Sequence, residues 1–318
     1  MNPFRLKAGS VEFRSFEICK RGSPNCRVGA RLTLKTILRD GIAEAISLLP
    51  IKVKLWLYRK YDRLLLGVLF RLEKRRIVVA RAGPTPYRHR MRLSWQADTG
   101  WVLGTYEPHV VEALEQYLVA GDCCMDVGAN LGYFTSVMAN LVGEKGEVIA
   151  FEPLPNNVTV LEENIALEGL KNVRIEPIAV GDSIGSASLL IQGDTDFTGT
   201  ASLAEVYDWG GERTNITVSI VTLDSYVAGL QKNPSLLKMD VEGAEFFALK
   251  GAKTLLSTVR PVLLIEIHGW GTPRGHQVVE LLKEYGYTVQ ILGLRNRESF
   301  CLALPAEHHA AKEQEIPA

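Results

Sequence analysis

A short apolar segment followed by two glycines constrains the fold of this chain more than any other feature. Residues 123–127 are apolar apart from Asp126, which is typical of a buried strand, and Gly128 and Gly132 follow. Apolar residues then recur at helical spacing until Gly143: Phe134, Val137, Met138 and Leu141. A strand, a tight turn and a helix N-terminus together are typical of a nucleotide site, because glycine lets a ligand lie against bare backbone.

Strand-like and helix-like segments alternate through the rest of the chain. Strands are predicted at residues 147–152, 173–180, 236–240, 261–266, 287–292 and 299–304, and helices at 109–118, 156–167, from about 244, and at 275–285. Residues 187–226 alternate with a period of two, which predicts an antiparallel excursion. Near-continuous apolar strands joined by helices predict an α/β fold with a mostly parallel sheet covered on both faces, and the last two strands are predicted to be antiparallel.

The glycine turn lacks the spacing of the two commonest phosphate-binding loops. A dinucleotide fingerprint, G-x-G-x-x-G, would need glycine where Asn130 and Tyr133 stand, and the Gly-Lys-Ser/Thr of a P-loop is absent. The turn instead carries an acid, Asp126, which can meet an ammonium group. It therefore suits a compact nucleoside that bears an amino acid better than it suits a pyrophosphate.

Acidic residues at the ends of the next two strands extend this interpretation. Glu152 ends the second strand, 24 residues after Gly128, where its carboxylate can accept hydrogen bonds from both ribose hydroxyls. Asp182 follows the small, apolar end of the third strand, which can flank an adenine edge, and its alternative role is to form the turn. Together with the glycine turn, these features point to S-adenosylmethionine as the cofactor.

Five short segments occur in a fixed order along the chain. They are Asp-Val-Gly-Ala-Asn-Leu-Gly-Tyr-Phe-Thr at 126–135, Ala-Phe-Glu-Pro-Leu-Pro-Asn-Asn at 150–157, Ala-Val-Gly-Asp at 179–182, Lys-Met-Asp-Val-Glu-Gly-Ala-Glu at 238–245 and Ile-Glu-Ile-His at 265–268. With these segments, residues 95–305 resemble the FkbM family of S-adenosylmethionine-dependent methyltransferases. The resemblance implies a class I, Rossmann-like methyltransferase fold with a seven-stranded, mostly parallel sheet and an antiparallel end strand. It also implies O-methylation of hydroxyls on glycans, glycolipids or secondary metabolites.

Seven residues are predicted to contact the cofactor: Glu107, Asp126, Gly128, Asn130, Gly132, Glu152 and Asp182. Glu107 belongs to a Gly-Thr-Tyr-Glu-Pro segment at 104–108 that is also similar to the family, and its loop can fold over the methionine end of the cofactor. The competing role of Glu107 is to cap the helix that begins at His109.

Three residues at the ends of later strands are predicted to carry the chemistry: His268, Asp240 and Glu266. Methyl transfer to a hydroxyl needs a base that removes the proton, and His268 has the intrinsic pKa for that role. Asp240 is either the rival base or the residue that orients the imidazole, and the alternative role of His268 is a hydrogen bond to a loop. The predicted substrate contacts are Glu242, Trp209 and Trp270, although Glu242 is also placed to cap the following helix.

The spacing of the acids demands no metal, so none is predicted, although Asp240, Glu242 and Glu266 are oxygen ligands that Mg²⁺ or Ca²⁺ accepts. The five cysteines show no paired spacing, which favours reduced thiols. No run is apolar and long enough for a spanning helix, and a cytoplasmic protein is expected.

The basic residues are concentrated at the front of the chain. Residues 1–97 hold 22 Lys/Arg against 6 Asp/Glu, which leaves 14 against 30 in the remainder. Residues 1–32 are predicted to be a disordered basic tail, 33–95 a basic helical and short-strand region, 96–305 the methyltransferase domain and 306–318 a loose tail. Residues 33–76 fit either peripheral contact with an anionic membrane or a helical prefix packed on the domain. No nucleic-acid partner is expected, since the acidic body would repel phosphates.

Two alternatives to O-methylation of a hydroxyl stay open at this point. The first is a methyltransferase that acts on a nitrogen or a carboxylate, which needs no base in the carboxylate case. The second is a membrane-associated module with a degenerate methyltransferase domain, against which the intact turn at 126–132 and Glu152 both argue.

Overall fold

The computed structural model describes residues 77–83, 86–87, 89–94, 100–101, 104–192, 201–202, 213–295 and 298–307. The predictions for residues 1–76, for the tail after residue 307 and for Trp209 lie outside these ranges. None of the described helices combines the length and the apolar character needed to cross a membrane.

The described residues form thirteen strands, six α-helices and one π-helical turn. The strands are β1 (Ile77–Ala82), β2 (His89–Ser94), β3 (Cys123–Val127), β4 (Glu147–Phe151), β5 (Val173–Glu176), β6 (Ala179–Val180), β7 (Gly185–Gln192), β8 (Ala201–Ser202), β9 (Arg213–Val221), β10 (Leu236–Met239), β11 (Val262–His268), β12 (Tyr287–Arg295) and β13 (Glu298–Pro305). The helices are α1 (Pro108–Tyr117), α2 (Tyr133–Val142), α3 (Pro155–Glu168), α4 (Leu223–Val227), α5 (Glu245–Lys250) and α6 (Pro273–Glu284), and the π-helical turn is Leu255–Val259.

Seven strands form the main sheet, in the order β12-β13-β11-β10-β3-β4-β5. All neighbours from β11 to β5 pair in parallel, whereas β13 pairs antiparallel with both β11 and β12. The predicted class I fold, with a mostly parallel sheet and an antiparallel strand at its end, is therefore confirmed. The antiparallel strand lies one place in from the edge.

Both faces of the main sheet are buried, as its near-continuous apolar strands require. Along β3, Cys124 packs into a core that contains α1 and α2, whereas Met125 and Val127 pack into a second core that contains α5 and α6. This double covering leaves the ends of the strands as the open part of the sheet.

The predicted strand at 173–180 is wrong in one respect, because it is two strands in different sheets. β5 ends at Glu176, and β6 pairs with β9 in a second sheet of order β6-β9-β7-β8. Pro177 lies between them and has no N–H to continue the ladder. The antiparallel excursion predicted for residues 187–226 is confirmed by the pairing of β7 with β9.

The hairpin of β1 and β2 packs against the methyltransferase fold, although the sequence assigned it to the region before residue 96. Met91 is fully buried in the core of α1 and α2. Asn164 of α3 accepts a hydrogen bond from the Arg92 N–H at 2.6 Å and donates one to the Leu131 carbonyl at 2.8 Å. The boundary predicted between residues 95 and 96 therefore does not separate two packing units at this hairpin.

Candidate active site

The carboxyl ends of the parallel strands meet at one edge of the main sheet, and a cavity opens there. The end of β3 brings Gly128 to it, the end of β4 brings Glu152, and the end of β10 brings Asp240. The cavity has a water-accessible volume of about 80 Å³ and is open to solvent. Apolar side chains complete much of its wall: Phe151, Leu154, Ile178, Val180, Leu189 and Val241.

The glycine turn brings two strands into backbone contact at the floor of this cavity. Gly128 has φ of +85°, and a Cβ atom there would lie 1.8 Å from the carbonyl oxygen of Asp240. Gly132 has φ of +91° at the start of α2, and its Cβ would lie 2.5 Å from Leu161 Cδ1. Gly128 lines the cavity and Gly132 does not. The geometry therefore gives Gly132 a packing role between α2 and α3.

Glu152 is buried beside the cavity and is fixed by three hydrogen bonds. The backbone N–H of Asn130 donates to Oε2 at 2.8 Å, the N–H of Leu154 donates to Oε1 at 2.9 Å, and Asn157 Nδ2 donates to Oε1 at 3.3 Å. Burial raises the pKa of Glu152 to about 7 despite these donors. A carboxylate has about four lone-pair sites, so one is left for a ligand. An apolar slot with a fixed carboxylate beside it fits the nucleoside part of S-adenosylmethionine.

The side chain of Asp126 is buried inside the protein, and its contacts are with other side chains. It is fully buried, accepts a hydrogen bond from Thr135 Oγ1 at 2.6 Å, and pairs with Lys238 Nζ at 3.2 Å. Lys238 lies directly opposite Asp126 in the parallel pair of β10 and β3. The predicted contact between Asp126 and the cofactor's ammonium is therefore not supported, because Lys238 already occupies the position of the cation.

Lys238 is a site residue that the sequence analysis did not single out. Its ammonium also donates to the Gly128 carbonyl at 3.2 Å and lies 5.3 Å from the centre of the Phe134 ring. Burial alone would lower the pKa of Lys238, but Asp126 and Asp240 outweigh that effect and raise it, so the side chain stays charged. Lys238 thus joins the turn to the strand that carries Asp240.

A second, smaller cavity with a water-accessible volume of about 10 Å³ adjoins the first, and Asp240 lines both. Glu107 and Glu266 line the smaller cavity. The backbone N–H of Asp240 donates to the Val127 carbonyl at 2.9 Å, which fixes its position at the strand ends. Asp240 Oδ1 is buried and has no hydrogen-bond partner among the described residues. This oxygen at the junction is therefore available to a ligand.

Glu107 reaches the smaller cavity because its loop folds over the start of α2. Tyr106 packs edge-on against Tyr133, with ring centres 5.4 Å apart. Glu107 has φ of +40° at the N-cap of α1 but makes no side-chain capping hydrogen bond. Burial, followed by the charge of Asp240, raises its pKa to about 7. The capping alternative is therefore wrong, whereas the folded-over loop is observed.

Glu266 is the third acid of this group, and Arg295 connects it to Glu107. Arg295 Nη2 lies 3.3 Å from Glu266 Oε1, and Arg295 Nη1 lies 3.6 Å from Glu107 Oε1. Burial, Asp240 and Glu107 raise the pKa of Glu266 well above its ordinary value. The charges of Asp240 and Glu107 thus disfavour ionisation of Glu266. Arg295 was missed by the sequence analysis.

His268 lies between two carboxylates. Its Nδ1 donates to Glu245 Oε1 at 2.9 Å, and its Nε2 pairs with Glu242 Oε2 at 3.3 Å. Burial alone would lower the pKa of His268, but these two carboxylates outweigh that effect and raise it well above its ordinary value. A protonated ring that uses both nitrogens as donors has no lone pair to accept a proton. The geometry therefore argues against His268 as the general base.

The capping of α5 by Glu242 that the sequence suggested is not observed. The N-cap of α5 is Ala244, which makes no side-chain capping hydrogen bond. Glu245 is fully buried and accepts a hydrogen bond from the Gly243 N–H at 2.8 Å. Glu242 has φ of +51°, lines the larger cavity and holds His268 from the opposite side.

Two other predicted site residues lie away from both cavities. Asp182 is exposed at the surface, pairs with Lys250 Nζ at 3.1 Å and lines neither cavity, so its predicted cofactor contact is not supported. Trp270 is partly buried against the core of α5 and α6 and lines neither cavity, and its stacking contact with the substrate stays a prediction.

Asp240, Glu242 and His268 each place a ligand atom within 4.8 Å of the others. This spacing would let a cation fit between them. The two ring nitrogens of His268 are already satisfied by Glu242 and Glu245, however, so no metal site is assigned here. The absence of a required metal stays a prediction.

Comparisons with known proteins address the same region of the chain. Residues 126–289, more than half of the 318-residue chain, match the sequence model described as the methyltransferase FkbM domain. The chain is 28% identical over 197 residues to the hexuronic acid methyltransferase AglP of Haloferax volcanii, which covers 62% of this chain and 76% of that protein. It is 40% identical over 62 residues to the protein-L-isoaspartate O-methyltransferase of Caenorhabditis elegans, 18% of this chain and 28% of that one.

Two solved structures are also similar. The methyltransferase FkbM of Methylobacillus flagellatus KT is 17% identical with a TM-score of 0.41, and the similarity covers 64% of this chain and 52% of that chain. Aeropyrum pernix fibrillarin with natively bound S-adenosyl-L-methionine is 12% identical with a TM-score of 0.42, covering 72% and 82%.

Proposed function

The chain belongs to the FkbM family of S-adenosylmethionine-dependent methyltransferases, and we propose that it methylates a hydroxyl oxygen of a glycan, glycolipid or related metabolite. The observation that carries this proposal is Asp240 Oδ1, a buried and unpartnered carboxylate oxygen where the two cavities meet. A hydroxyl is a poor nucleophile until a base removes its proton, and a base in this position is what such an acceptor needs.

The larger cavity is proposed to hold the cofactor. S-adenosylmethionine, when bound, supplies a methyl group on a positively charged sulfur. Glu152 would accept one ribose hydroxyl with its remaining lone pair, since its other contacts keep the carboxylate in one orientation. The turn at Gly128 and Asn130 would present bare backbone to the ligand. Glu107, on the loop over the smaller cavity, would direct the ammonium end.

Asp240 is proposed as the base, and His268 as a residue that positions the acids around it. As the acceptor oxygen forms its bond to the methyl carbon and the sulfur–carbon bond breaks, the hydroxyl proton passes to Asp240. S-adenosylhomocysteine then leaves. His268 holds Glu242 at the edge of the cavity through Nε2 and is itself oriented by Glu245 through Nδ1. General-base catalysis of this kind typically contributes a factor of roughly 10²–10⁴.

A carboxylate acceptor is the second candidate, because the hexuronic acid that names one relative carries both hydroxyls and a carboxylate. A carboxylate would need a cation to receive it. Among the described residues, the three cations at this edge are already paired: Lys238 with Asp126, His268 with Glu242 and Glu245, and Arg295 with Glu107 and Glu266. The site is thus rich in negative charge, which favours a neutral hydroxyl over an anion.

The test uses the full chain with S-adenosylmethionine that carries a radiolabelled methyl group and a panel of neutral oligosaccharides and glycolipids. The labelled product is then treated with mild alkali. A methyl ether keeps its label, whereas a methyl ester releases methanol. Label that resists alkali and depends on Asp240 supports the proposal. Alkali-labile label, or equal transfer by Asp240→Asn, would refute it. Asp182→Asn, a surface carboxylate outside both cavities, is the matched control.

A further inference from the structure

The guanidinium of Arg295 contacts three carboxylates from three separate parts of the chain. Nη1 faces Glu107 on the loop before α1 at 3.6 Å, Nη2 faces Glu266 in β11 at 3.3 Å, and Nε faces Glu298 at the start of β13 at 2.9 Å. Each contact uses a different nitrogen. The side chain also lies 5.5 Å from the centre of the Phe300 ring, which limits its rotation.

These contacts differ in burial. Glu107 and Glu266 have side chains that are 7% and 5% exposed, and both line the smaller cavity with Asp240. Glu298 is more exposed, at 16%, and lines neither cavity. The contact with Glu298 therefore anchors Arg295 to its own hairpin, while the other two nitrogens point at the acids of the site.

Arg295 and Glu107 lie on opposite sides of the family match, which spans residues 126–289. Glu107 precedes it by α1 and the first part of β3, and Arg295 follows it at the end of β12. Their ion pair brings the two flanking segments together over the edge of the sheet. The Glu107 side chain makes no capping hydrogen bond. Arg295 forms an ion pair with its carboxylate, and Tyr106 forms a hydrogen bond with it.

We propose that Arg295 is a positioning residue that bridges Glu107 and Glu266 beside Asp240 and thereby holds Glu107 ready for the ammonium group of the methyl donor. This inference rests on the proposed function, because it takes the amino-acid end of the cofactor to lie beside Glu107. Arg295 touches neither the methyl group nor the acceptor in this account, and its effect is exerted through Glu107.

The charge environment of Glu107 gives the inference a pH signature. Five groups face its carboxylate: Tyr106 and the cations Lys238 and Arg295 favour the ionised form, and Asp240 and Glu266 disfavour it. Loss of the Arg295 charge would move the pKa of Glu107 further above about 7. A ligand that needs the ionised carboxylate would then bind more weakly near neutral pH than in alkaline solution, where Glu107 is ionised in both proteins.

The experiment measures the dissociation constant of S-adenosylhomocysteine, which keeps the ammonium group, by calorimetry at several pH values from 6.5 to 9. Arg295→Met should weaken binding by about tenfold at pH 6.5 and by less than about threefold at pH 9, since each pH unit below the new pKa costs a factor of ten in the ionised fraction. Arg295→Lys keeps the charge and should recover much of the affinity. Thermal unfolding of each variant without ligand reports any structural loss.

A double-mutant cycle separates positioning from a general structural effect. In Glu107→Gln, which has no charge to hold, Arg295→Met should change S-adenosylhomocysteine binding less than about twofold, because the two residues act as a unit. Arg260→Met is the matched control, since Arg260 also pairs with a glutamate, Glu307, and lies 5.3 Å from the Tyr287 ring, away from both cavities. It should lower stability without any pH-dependent loss of affinity.

A pH-independent loss of affinity in Arg295→Met, or full additivity with Glu107→Gln, would overturn the inference and make Arg295 a structural residue only. The proposed function would survive that result, because its test is the alkali-resistant product. Conversely, alkali-labile label with the expected coupling between Arg295 and Glu107 would refute hydroxyl methylation and leave the role of Arg295 intact. Wild-type protein that fails to bind S-adenosylhomocysteine at any pH would overturn the inference directly.

Discussion

Replacing Lys238 with methionine should destabilise the protein strongly, because Asp126 would stay buried without its counter-ion. The two charges lie 3.2 Å apart, and Asp126 is fully buried. At an effective dielectric constant of about 20, Coulomb's law gives an attraction of about 5 kcal/mol at that distance. Removing one partner of a buried ion pair costs about 3–5 kcal/mol in comparable cases. This is a large share of the free energy of unfolding of a typical domain, which is roughly 5–15 kcal/mol.

The assay is equilibrium unfolding in urea. The loss of unfolding free energy is calculated from the shift of the midpoint, provided that the m-value stays constant. Methionine keeps the apolar stem of the lysine, so the change isolates the charge. The double variant Asp126→Asn with Lys238→Met should recover part of the loss, because neither charge is then buried alone. A decrease in unfolding free energy below about 1 kcal/mol in Lys238→Met would refute a stabilising role for the ion pair of Lys238 and Asp126. So would an Asp126→Asn protein of unchanged stability that no longer binds S-adenosylhomocysteine, since Asp126 would then be a ligand residue.

Three further predictions concern the turn, Glu152 and His268. Gly128→Ala should abolish S-adenosylhomocysteine binding or folding, because Gly128 has φ of +85° and its Cβ would lie 1.8 Å from a backbone oxygen. The control Gly169→Ala has φ of +66° but open space around its Cβ, and it should lower the free energy of unfolding in urea by only about 1–2 kcal/mol. The pKa of Glu152 in the folded protein is raised to about 7, so ionisation of Glu152 disfavours the folded state. The wild type should therefore lose stability relative to Glu152→Gln as the pH rises from about 4.5 through 7. Thermal unfolding measures this trend, and a stability difference that does not change with pH would contradict it. The pKa of His268 in the folded protein is also raised, so its stabilising contribution is complete below pH 6.5 and declines at higher pH. The stability loss in His268→Gln should therefore be largest in acid. The variant should keep the acid limb of the pH profile of kcat, and loss of that limb would identify His268 as the base.

The sequence predicted the main sheet well because its strands are buried on both faces. Strands such as β3, β10 and β11 are apolar almost throughout, and glycine or proline marks where neighbouring segments end. The break at Pro177 was also readable, since proline cannot continue a ladder, yet residues 173–180 look uniformly strand-like on either side of it. Pattern alone does not tell which sheet a short strand joins.

The position of the site was predictable for the same reason, because the carboxyl ends of parallel strands meet at one edge. Gly128, Glu152 and Asp240 follow directly from that rule and line the cavity. The partner of each charge was not predictable, since it depends on strand order. Lys238 in an otherwise apolar strand was the available signal, because a buried lysine needs an acid, and the register of β10 with β3 supplies Asp126.

Arg295 and the environment of His268 depended on contacts between segments far apart in the chain. Arg295 lies beyond the predicted end of its strand, and nothing local links it to Glu107. The sequence placed His268 at a strand end, with Asp240 as a rival base or the residue that orients its imidazole, and did not predict its contacts with Glu242 and Glu245. Their position on both ring nitrogens changes the role of the histidine from acceptor to donor.

The most direct test of the account is the kinetic split in Asp240→Asn, measured with labelled S-adenosylmethionine and an acceptor identified by the alkali-resistance assay. Asparagine keeps the shape of the side chain but is a very poor base, so kcat should fall by about 10²–10⁴ while the dissociation constant of S-adenosylhomocysteine changes by less than about threefold. The control Asp182→Asn should match the wild type in both. A kcat in Asp240→Asn close to that of the wild type would contradict the account.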